Sequence, residues 1–352
     1  MLAAMTGVTL DDVGGWASVL GSLTAGDDLS ADVAGAAMAE ILDGNATSAQ
    51  IAGFIVALRM KGETVDELTG LVGAMVERAT PVRLAQPDGV IDLVGTGGDR
   101  SHSINVSTLA ALTVAGAGGR VCKHGNRAAS SACGTADLLE ALDVAFDLGP
   151  EGVARCVDEV GIGFCFAPRF HSAMRHAGPT RKELGVPTVF NFLGPLANPA
   201  RVRRQVTGVA DPAMAERMVG VLAANGAERA LVVYGHDGLD ELTTTAPSTV
   251  HELVDGEVRT YDVEPLELGL ARGSLDDLRG GDAATNARLA RAVLAGDEGP
   301  HADIVVLNAA AGLVADLAEG VVAARASLAE GKAAAALDAL VTTSQQARAD
   351  GL

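Results

Sequence analysis

Five stretches of the chain carry side chains whose types and spacing suit an anionic, phosphorylated ligand. Directly after the apolar run Ile91-Asp92-Leu93-Val94 comes Gly95-Thr96-Gly97-Gly98-Asp99. Glycines there let backbone N–H groups approach an anion closely, although a tight strand-to-helix turn with no ligand has the same composition. Asn105-Val106-Ser107-Thr108 sets hydroxyls at a helix start, where they either cap the helix or ligate phosphate and metal. Residues 123–142, KHGNRAASSACGTADLLEAL, gather Lys123, His124, Asn126 and Arg127 beside Ser130 and Ser131. Such a basic, hydroxyl-rich turn suits a pyrophosphate, or else is a solvated loop. A second basic region holds Arg169, His171, Arg175, His176, Arg181 and Lys182, with no acidic residue between 168 and 182. It complements a carboxylate or phosphate, or forms a plain basic face. Finally, Gly238-Leu239-Asp240-Glu241-Leu242 sets two carboxylates side by side. Alone they read as the acidic start of a helix; next to a pyrophosphate they are ligands for Mg2+, which takes carboxylate and phosphate oxygens and keeps water.

The elements that must position these residues change character near residue 88. Before it, Thr47-x-x-Gln50 and Thr64-x-x-Glu67 are capping boxes ahead of apolar positions at helical spacing: Ile51, Phe54, Ile55 and Leu58, then Val65, Leu68, Val72, Met75 and Val76. Ser30 and Gly44 bracket an earlier helix. Three helices in succession predict an all-α unit. After the turn Pro87-Asp88-Gly89 the pattern alternates: a strand over 90–94, a helix over about 107–117, a strand around Val121, and further strands over 164–166, 205–209 and 230–234. Strands separated by helices imply a mostly parallel sheet covered on both faces. The strand ends are where such a sheet binds its ligand. Asp255-Gly256 joins 249–254 to 257–261 as a hairpin, and helices over 283–296, 302–317 and roughly 318–349 close the chain.

Bulk properties exclude several classes. A length of 352 residues with 48% hydrophobic content supports a large domain plus a smaller one, and 3% aromatics leaves Leu, Val and Ala to fill the interior. A formal net charge of −19 argues against a general nucleic-acid surface. The start carries no basic segment ahead of an apolar one, so no secretory signal is expected. The uncharged stretch 104–119 is too short and polar to span a bilayer. A cytoplasmic protein with no membrane or nucleic-acid partner follows. Cys122, Cys133, Cys156 and Cys165 lack CxxC spacing and read as buried thiols.

GTGGD, NVST, KHGNRAASS with GTAD, FAPRFH, RKELGVPTVFNFLGPLANP and GLDELT occur together, in this order. As a set they resemble the anthranilate phosphoribosyltransferase family, over about residues 9–345. The resemblance implies an α/β fold of the nucleoside phosphorylase type. A small all-α domain (1–87, joined by a mid-chain helical insertion at about 168–200) accompanies a large α/β domain with a mostly parallel sheet (88–352). It implies a homodimer, Mg2+ at two ions per subunit, and the substrates anthranilate and 5-phosphoribosyl 1-pyrophosphate. By the same resemblance Gly95, Gly97, Gly98 and Asp99 form the turn around the pyrophosphate. Asn105, Ser107 and Thr108 contact phosphate, with Ser103 and Val106 beside them, and Lys123 is the phosphate-binding lysine. Gly125, Arg127, Ala128 and Ser131 complete that binding stretch. Asn126 and Arg181 contact anthranilate, Arg181 through its carboxylate; Ser107, Asp240 and Glu241 hold the metal. His124 is a substrate contact; it or a water takes the amine proton late, or else the histidine is structural.

Two positions depart from the family pattern: Arg100 replaces the usual glycine after GTGGD, and Ser103 a common threonine. Two rival readings stand beside the first. A pyrimidine nucleoside phosphorylase shares fold and ribosyl chemistry but typically carries a DKHS-type sequence before its glycine turn, where this chain has IDLVGTGGD. A non-catalytic, nucleic-acid-binding relative would need an enlarged basic surface, against which the net charge and the intact Asp240-Glu241 pair both argue.

Overall fold

In the computed structural model, residues 8–99, 101–128, 132–314 and 316–352 are described. The chain opens with four helices, α1 (Gly15–Ala25), α2 (Ala31–Leu42), α3 (Ser48–Lys61) and α4 (Val65–Glu77). Both capping boxes form. Thr47 and Thr64 each accept the third helical N–H, and Gln50 and Glu67 reach back to the N-cap N–H, contacts typically worth about 0.5–2 kcal/mol each. Glu67 does more than cap: fully buried, it also accepts the Leu29 N–H at 2.9 Å and the Lys61 ammonium at 3.0 Å. The start of α4 is thereby tied to the segment before α2. Ser30 caps α2, as its sequence position predicts. The sequence pattern did not announce α1, whose start lacks a side-chain cap.

The rest of the chain builds a seven-stranded sheet in the order β3-β2-β1-β4-β5-β6-β7. In chain order the elements are β1 (Val90–Gly95), α5 (Val106–Gly116), β2 (Arg120–Gly125), α6 (Thr135–Ala141), α7 (Pro150–Val160) and β3 (Ile162–Phe166). Then come three short helices, α8 (Ala167–Phe170), α9 (Gly178–Leu184) and α10 (Phe190–Leu196), followed by β4 (Arg204–Gly208), α11 (Pro212–Ala224) and β5 (Arg229–Gly235). The hairpin β6 (Ser248–Val254) and β7 (Glu257–Val263) and the helices α12 (Ala283–Leu294), α13 (Pro300–Leu313), α14 (Leu317–Ala329) and α15 (Lys332–Ala349) complete it. Strands β3, β2, β1, β4 and β5 are mutually parallel; β6 runs antiparallel to β5, and β7 antiparallel to β6. The expected single helix over 318–349 is two. Gly331 takes a left-handed backbone (φ +68°) that ends α14 and starts α15.

Because β2 follows β1 on one side and β4 returns on the other, the sheet's topological switch point lies between β1 and β4. Two cores flank the sheet. One gathers Ile91, Leu93, Val206, Leu231 and Val233 with α5, α13, α14 and α15. The other joins α1–α4 to Ala177, Val189, Phe190 and Leu193 from the mid-chain helices, and runs on through Met214 and Met218 of α11 to Ala230 and Val232 of β5. No single helix among the described residues is long and apolar enough to cross a membrane.

Packing of α4 on α2 depends on Gly70. A Cβ there would lie 2.0 Å from the Ala31 carbonyl oxygen and 2.9 Å from the Gly35 nitrogen, both backbone atoms of the facing helix. Gly70→Ala is expected to destabilise the protein by about 1–3 kcal/mol through helix separation, measured as a lowered midpoint in urea. An unchanged midpoint would mean that the two helices can part at no cost.

Candidate active site

The site is built around two glycines on neighbouring strands at the switch point. Gly95 of β1 pairs with Gly208 of β4, and the loop after β5 enters the gap left by their missing side chains. A Cβ on Gly208 would lie 1.6 Å from the Asp240 carbonyl oxygen, and one on Gly95 2.6 Å from Asp240 Oδ2. So seated, the buried Asp240 carboxylate accepts the Gly97 N–H at 2.6 Å and the Thr96 hydroxyl at 3.5 Å. Gly97 and Gly98 have φ of +69° and +90°, which turns the chain back on itself after β1. Beside Asp240, Glu241 Oε1 accepts the Ser107 N–H at 3.2 Å, at the N-terminal end of α5.

Lys123, buried on β2, donates to the Leu93 carbonyl and, at 3.1 Å, to Ser107 Oγ. Burial lowers its pKa, while Asp92, Glu241 and Asp240 oppose the fall. The carboxylates show the reverse. Loss of water pushes Glu241 up to about 8, Lys123 pulls it down and Asp99 adds to the rise. Asp240 is raised well above the ordinary range by burial, then by Asp99 and Glu241. This is a cluster of hard oxygen donors short of positive charge, with the Ser107 hydroxyl beside it, and that chemistry fits a divalent cation such as Mg2+. Among the described residues no three His, Cys, Asp or Glu side chains form a metal cage, so ligand oxygens and water would complete the coordination, as Mg2+ prefers.

Beneath Lys123 lies Asp92, an acid wholly enclosed in β1 that the sequence reading passed over. Its Oδ1 accepts the His124 N–H at 3.1 Å and its Oδ2 the Asn198 amide at 2.8 Å; Asn198 also donates to the Cys122 carbonyl at 2.8 Å. Burial raises Asp92 to about 6 against the pull of Lys123. A lone acid inside the apolar strand Val90–Gly95 was the available signal.

The other expected site residues divide by what they touch. Asn105 is engaged at both amide ends, donating to the Cys133 carbonyl (3.0 Å) and accepting from Asn286 (2.9 Å). Thr108 donates to Thr135 at 3.3 Å. Val106 has its side chain in the core and its N–H on the Ile104 carbonyl. Ser103 Oγ accepts from Ser101 at 3.1 Å. Gly125 closes β2. Asn126 Oδ1 accepts the Arg127 N–H, and the Ala128 N–H donates to Asp137. Arg127 itself pairs with Asp137 (2.6 Å) and Glu140 (2.9 Å) on α6 and lies over the Phe146 ring. Arg100, Ser130 and Ser131 lie outside the described residues.

His124 presents a defined tautomer. Its Nδ1 is 3.1 Å from the Gly194 carbonyl, which can only accept, so Nδ1 carries the proton and Nε2 keeps a lone pair that meets no partner among the described residues. Burial, with His171 beside it, drops its pKa to about 3, and the ring is neutral at physiological pH. Arg181, on α9 of the mid-chain helices, stacks over Phe190 at 4.9 Å and has no ion-pair partner among the described residues. Burial lowers its pKa. An unpaired, half-buried guanidinium has the charge and fork of donors to pair with a carboxylate.

Comparison with known proteins identifies the family of the fold. The α/β domain of a glycosyl transferase family matches residues 87–334 and the family's helical bundle domain matches residues 17–79. An anthranilate phosphoribosyltransferase of Rhodococcus jostii (strain RHA1) is 60% identical over 300 residues, 85% of this chain and 82% of its own. One from a Nocardioides species is 54% identical over 92% of this chain and 97% of its own. Among solved structures, the anthranilate phosphoribosyltransferase of Thermus thermophilus superposes with a TM-score of 0.88 at 44% identity, covering 93% of this chain and 99% of its own. The Saccharomyces cerevisiae enzyme in complex with PRPP and Mg gives 0.84 at 28% identity, covering 94% and 98%.

The seat of the Asp240 loop yields a direct test. Gly208→Ala forces that loop off β4; hydrogen exchange at the Gly97 and Leu242 amides is expected to quicken while global stability falls by no more than about 1–3 kcal/mol. Protection equal to that of the unaltered protein would show that the loop is held elsewhere.

Proposed function

This chain belongs to the anthranilate phosphoribosyltransferase family, and from that premise we propose how its residues divide the work of the reaction. The reaction joins the amino nitrogen of anthranilate to C1 of the ribose of 5-phosphoribosyl 1-pyrophosphate and releases pyrophosphate, a pentosyl transfer in tryptophan biosynthesis. The observation that carries the assignment of roles is the convergence of Lys123, Ser107 and the Asp240–Glu241 pair on the turn after β1. The phosphorylase and nucleic-acid-binding readings give way, since relatives at 52–60% identity are anthranilate phosphoribosyltransferases.

In this proposal the Gly95–Asp99 turn and the start of α5, with Asn105, Ser107 and Thr108, enclose the pyrophosphate, and Lys123 turns from the Leu93 carbonyl to a phosphate oxygen. Ser107, Asp240 and Glu241 hold Mg2+, two ions per subunit. Bound there, Mg2+ neutralises pyrophosphate charge and so makes it a better leaving group. Charge develops on the departing pyrophosphate as the C1–O bond breaks, so donors already aimed at it lower the barrier most. Arg181 and Asn126 orient anthranilate, Arg181 by its carboxylate. The aromatic amine is unprotonated at neutral pH and attacks without a strong base. His124, with a pKa of about 3, serves as a hydrogen-bond acceptor through Nε2 and does not store the proton.

Residues 1–87, joined by the mid-chain insertion at about 168–200, act as one helical domain and the remainder of 88–352 as the α/β domain. The working unit is a cytoplasmic homodimer joined through the helical domain.

Two experiments check these roles. Mixing protein with anthranilate, 5-phosphoribosyl 1-pyrophosphate and Mg2+ is expected to deplete anthranilate fluorescence only when both substrates and the metal are present; depletion that survives a chelator removes the metal from the scheme. Arg181→Ala is expected to raise KM for anthranilate by on the order of 10- to 100-fold, as for a lost charged hydrogen bond of about 1.5–3 kcal/mol, and to leave KM for the phosphoribosyl donor nearly unchanged. Equal rises in both constants would remove Arg181 from the anthranilate site.

A further inference from the structure

Asn308 lies in the middle of α13, buried to 1% exposure, in a helix whose inner face is otherwise apolar. A polar amide in such a place is costly unless every group it carries is bonded, and here every group is. Its Oδ1 accepts the Leu242 N–H at 3.0 Å; its Nδ2 donates to the Leu242 carbonyl at 2.8 Å and to the Ile304 carbonyl, one turn back, at 2.9 Å. The Leu242 N–H belongs to the peptide group that begins at Glu241 C, and the Leu242 carbonyl to the next. Asn308 therefore fixes both peptide planes that follow the Asp240–Glu241 pair.

Among the described residues no other side chain bonds the Leu242 N–H or carbonyl; the Gly97 and Ser107 N–H groups hold the two carboxylates themselves. Asp237 bonds the Leu239 N–H and the hydroxyls of Thr243 and Thr245, and Ser248 Oγ accepts the Thr243 N–H, so these contacts shape the loop upon itself and upon β6. Among the described residues, Asn308 alone of the side chains bonded to this loop comes from the helices that cover the sheet. It is the anchor to the rigid core on α13, while the glycine gap at Gly95 and Gly208 receives the loop from the opposite side. A carboxylate pair that must meet a cation within a few tenths of an ångström needs such support from rigid neighbours.

We propose that Asn308 is a positioning residue for the metal-binding carboxylates Asp240 and Glu241, acting through the two peptide groups of Leu242. The inference rests on the assignment of that pair to the metal, and the test separates the two. Asn308→Leu keeps the branched shape and the number of heavy atoms and leaves both Leu242 groups unbonded. Asn308→Ser is the second variant: a serine at this position satisfies its own hydroxyl on the Ile304 carbonyl, so that the only polar groups it leaves unbonded are the Leu242 N–H and carbonyl. Ser344→Ala is the comparison for stability alone, because it deletes a buried bond from α15 to the Ala145 N–H, away from the loop.

Metal affinity is read without turnover, as Mn2+ bound to the enzyme with 5-phosphoribosyl 1-pyrophosphate and no anthranilate, followed by the loss of the free Mn2+ electron paramagnetic resonance signal against a protein-free blank. The expected result is a rise in the Mn2+ half-saturation concentration of about tenfold or more in both Asn308 variants. The Mg2+ concentration for half-maximal rate should rise in parallel, KM for anthranilate at saturating Mg2+ should stay within about twofold, and Ser344→Ala should shift none of these. Folded Asn308 variants with wild-type Mn2+ binding, while Asp240→Asn/Glu241→Gln loses it, would overturn the role of Asn308. An equal shift in Ser344→Ala would overturn it too, as a mere consequence of lost stability. Wild-type Mn2+ binding by the Asp240→Asn/Glu241→Gln enzyme would instead overturn the assignment of the pair, and the proposal with it.

Discussion

The site rests on a charge balance that water does not screen. Lys123 sits on β2 among Asp92, Asp240 and Glu241, and each partner alters the others' proton affinity. Removing one ionised partner from such a cluster leaves the remainder uncompensated, which is why these residues are held by backbone and amide bonds on every side. Asp92 is fixed by the His124 N–H and Asn198, Asp240 by the Gly97 N–H, Glu241 by the Ser107 N–H, and Lys123 by the Leu93 carbonyl and Ser107. The remaining carboxylate excess makes the cluster receptive to a cation together with an anionic ligand, since the two neutralise each other as they enter.

Topology decides where that balance can be built. The switch point between β1 and β4 opens a crevice at the strands' C-terminal ends, and three separate connections deliver their residues into it: the turn after β1, the start of α5, and the loop after β5. Gly95 and Gly208 matter because two neighbouring strands must both lack side chains for Asp240 to lie so close to the sheet. The constraint is steric and leaves no alternative residue at Gly208, where any Cβ would overlap the Asp240 carbonyl.

The helical unit is coupled to this crevice by continuous packing. Its core passes from α1–α4 through the mid-chain helices and α11 to the face of β5. Asn198, at the end of that mid-chain segment, reaches Asp92 under Lys123, and the Gly194 carbonyl fixes the His124 tautomer. Arg181 stands on the same segment, stacked on Phe190. Of the two residues assigned to anthranilate, Arg181 belongs to the helical part and Asn126 follows the end of β2; those assigned to the phosphates belong to the α/β part, and the packing between the two parts brings one group against the other.

What the sequence determined by itself was local. Capping boxes at Thr47 and Thr64, the hairpin at Asp255-Gly256, the strand over 90–94 and the glycine turn after it each depend on residues a few positions apart, and their spacing was legible. So was the list of chemically able residues, because basic and hydroxyl clusters in a chain of net charge −19 stand out by type alone. The tertiary structure decided what those residues do to one another. Arg127, conspicuous in the sequence, is paired with Asp137 and Glu140 on α6. Asp92 and Asn308, unremarked in the sequence, hold up the site from beneath. Their partners lie 32 and 66 residues away along the chain, and no periodicity encodes a contact at that separation. Only the packed strands and helices, by excluding water and fixing which backbone groups lack partners, turn a buried acid and a buried amide into supports for Lys123 and the Asp240–Glu241 loop.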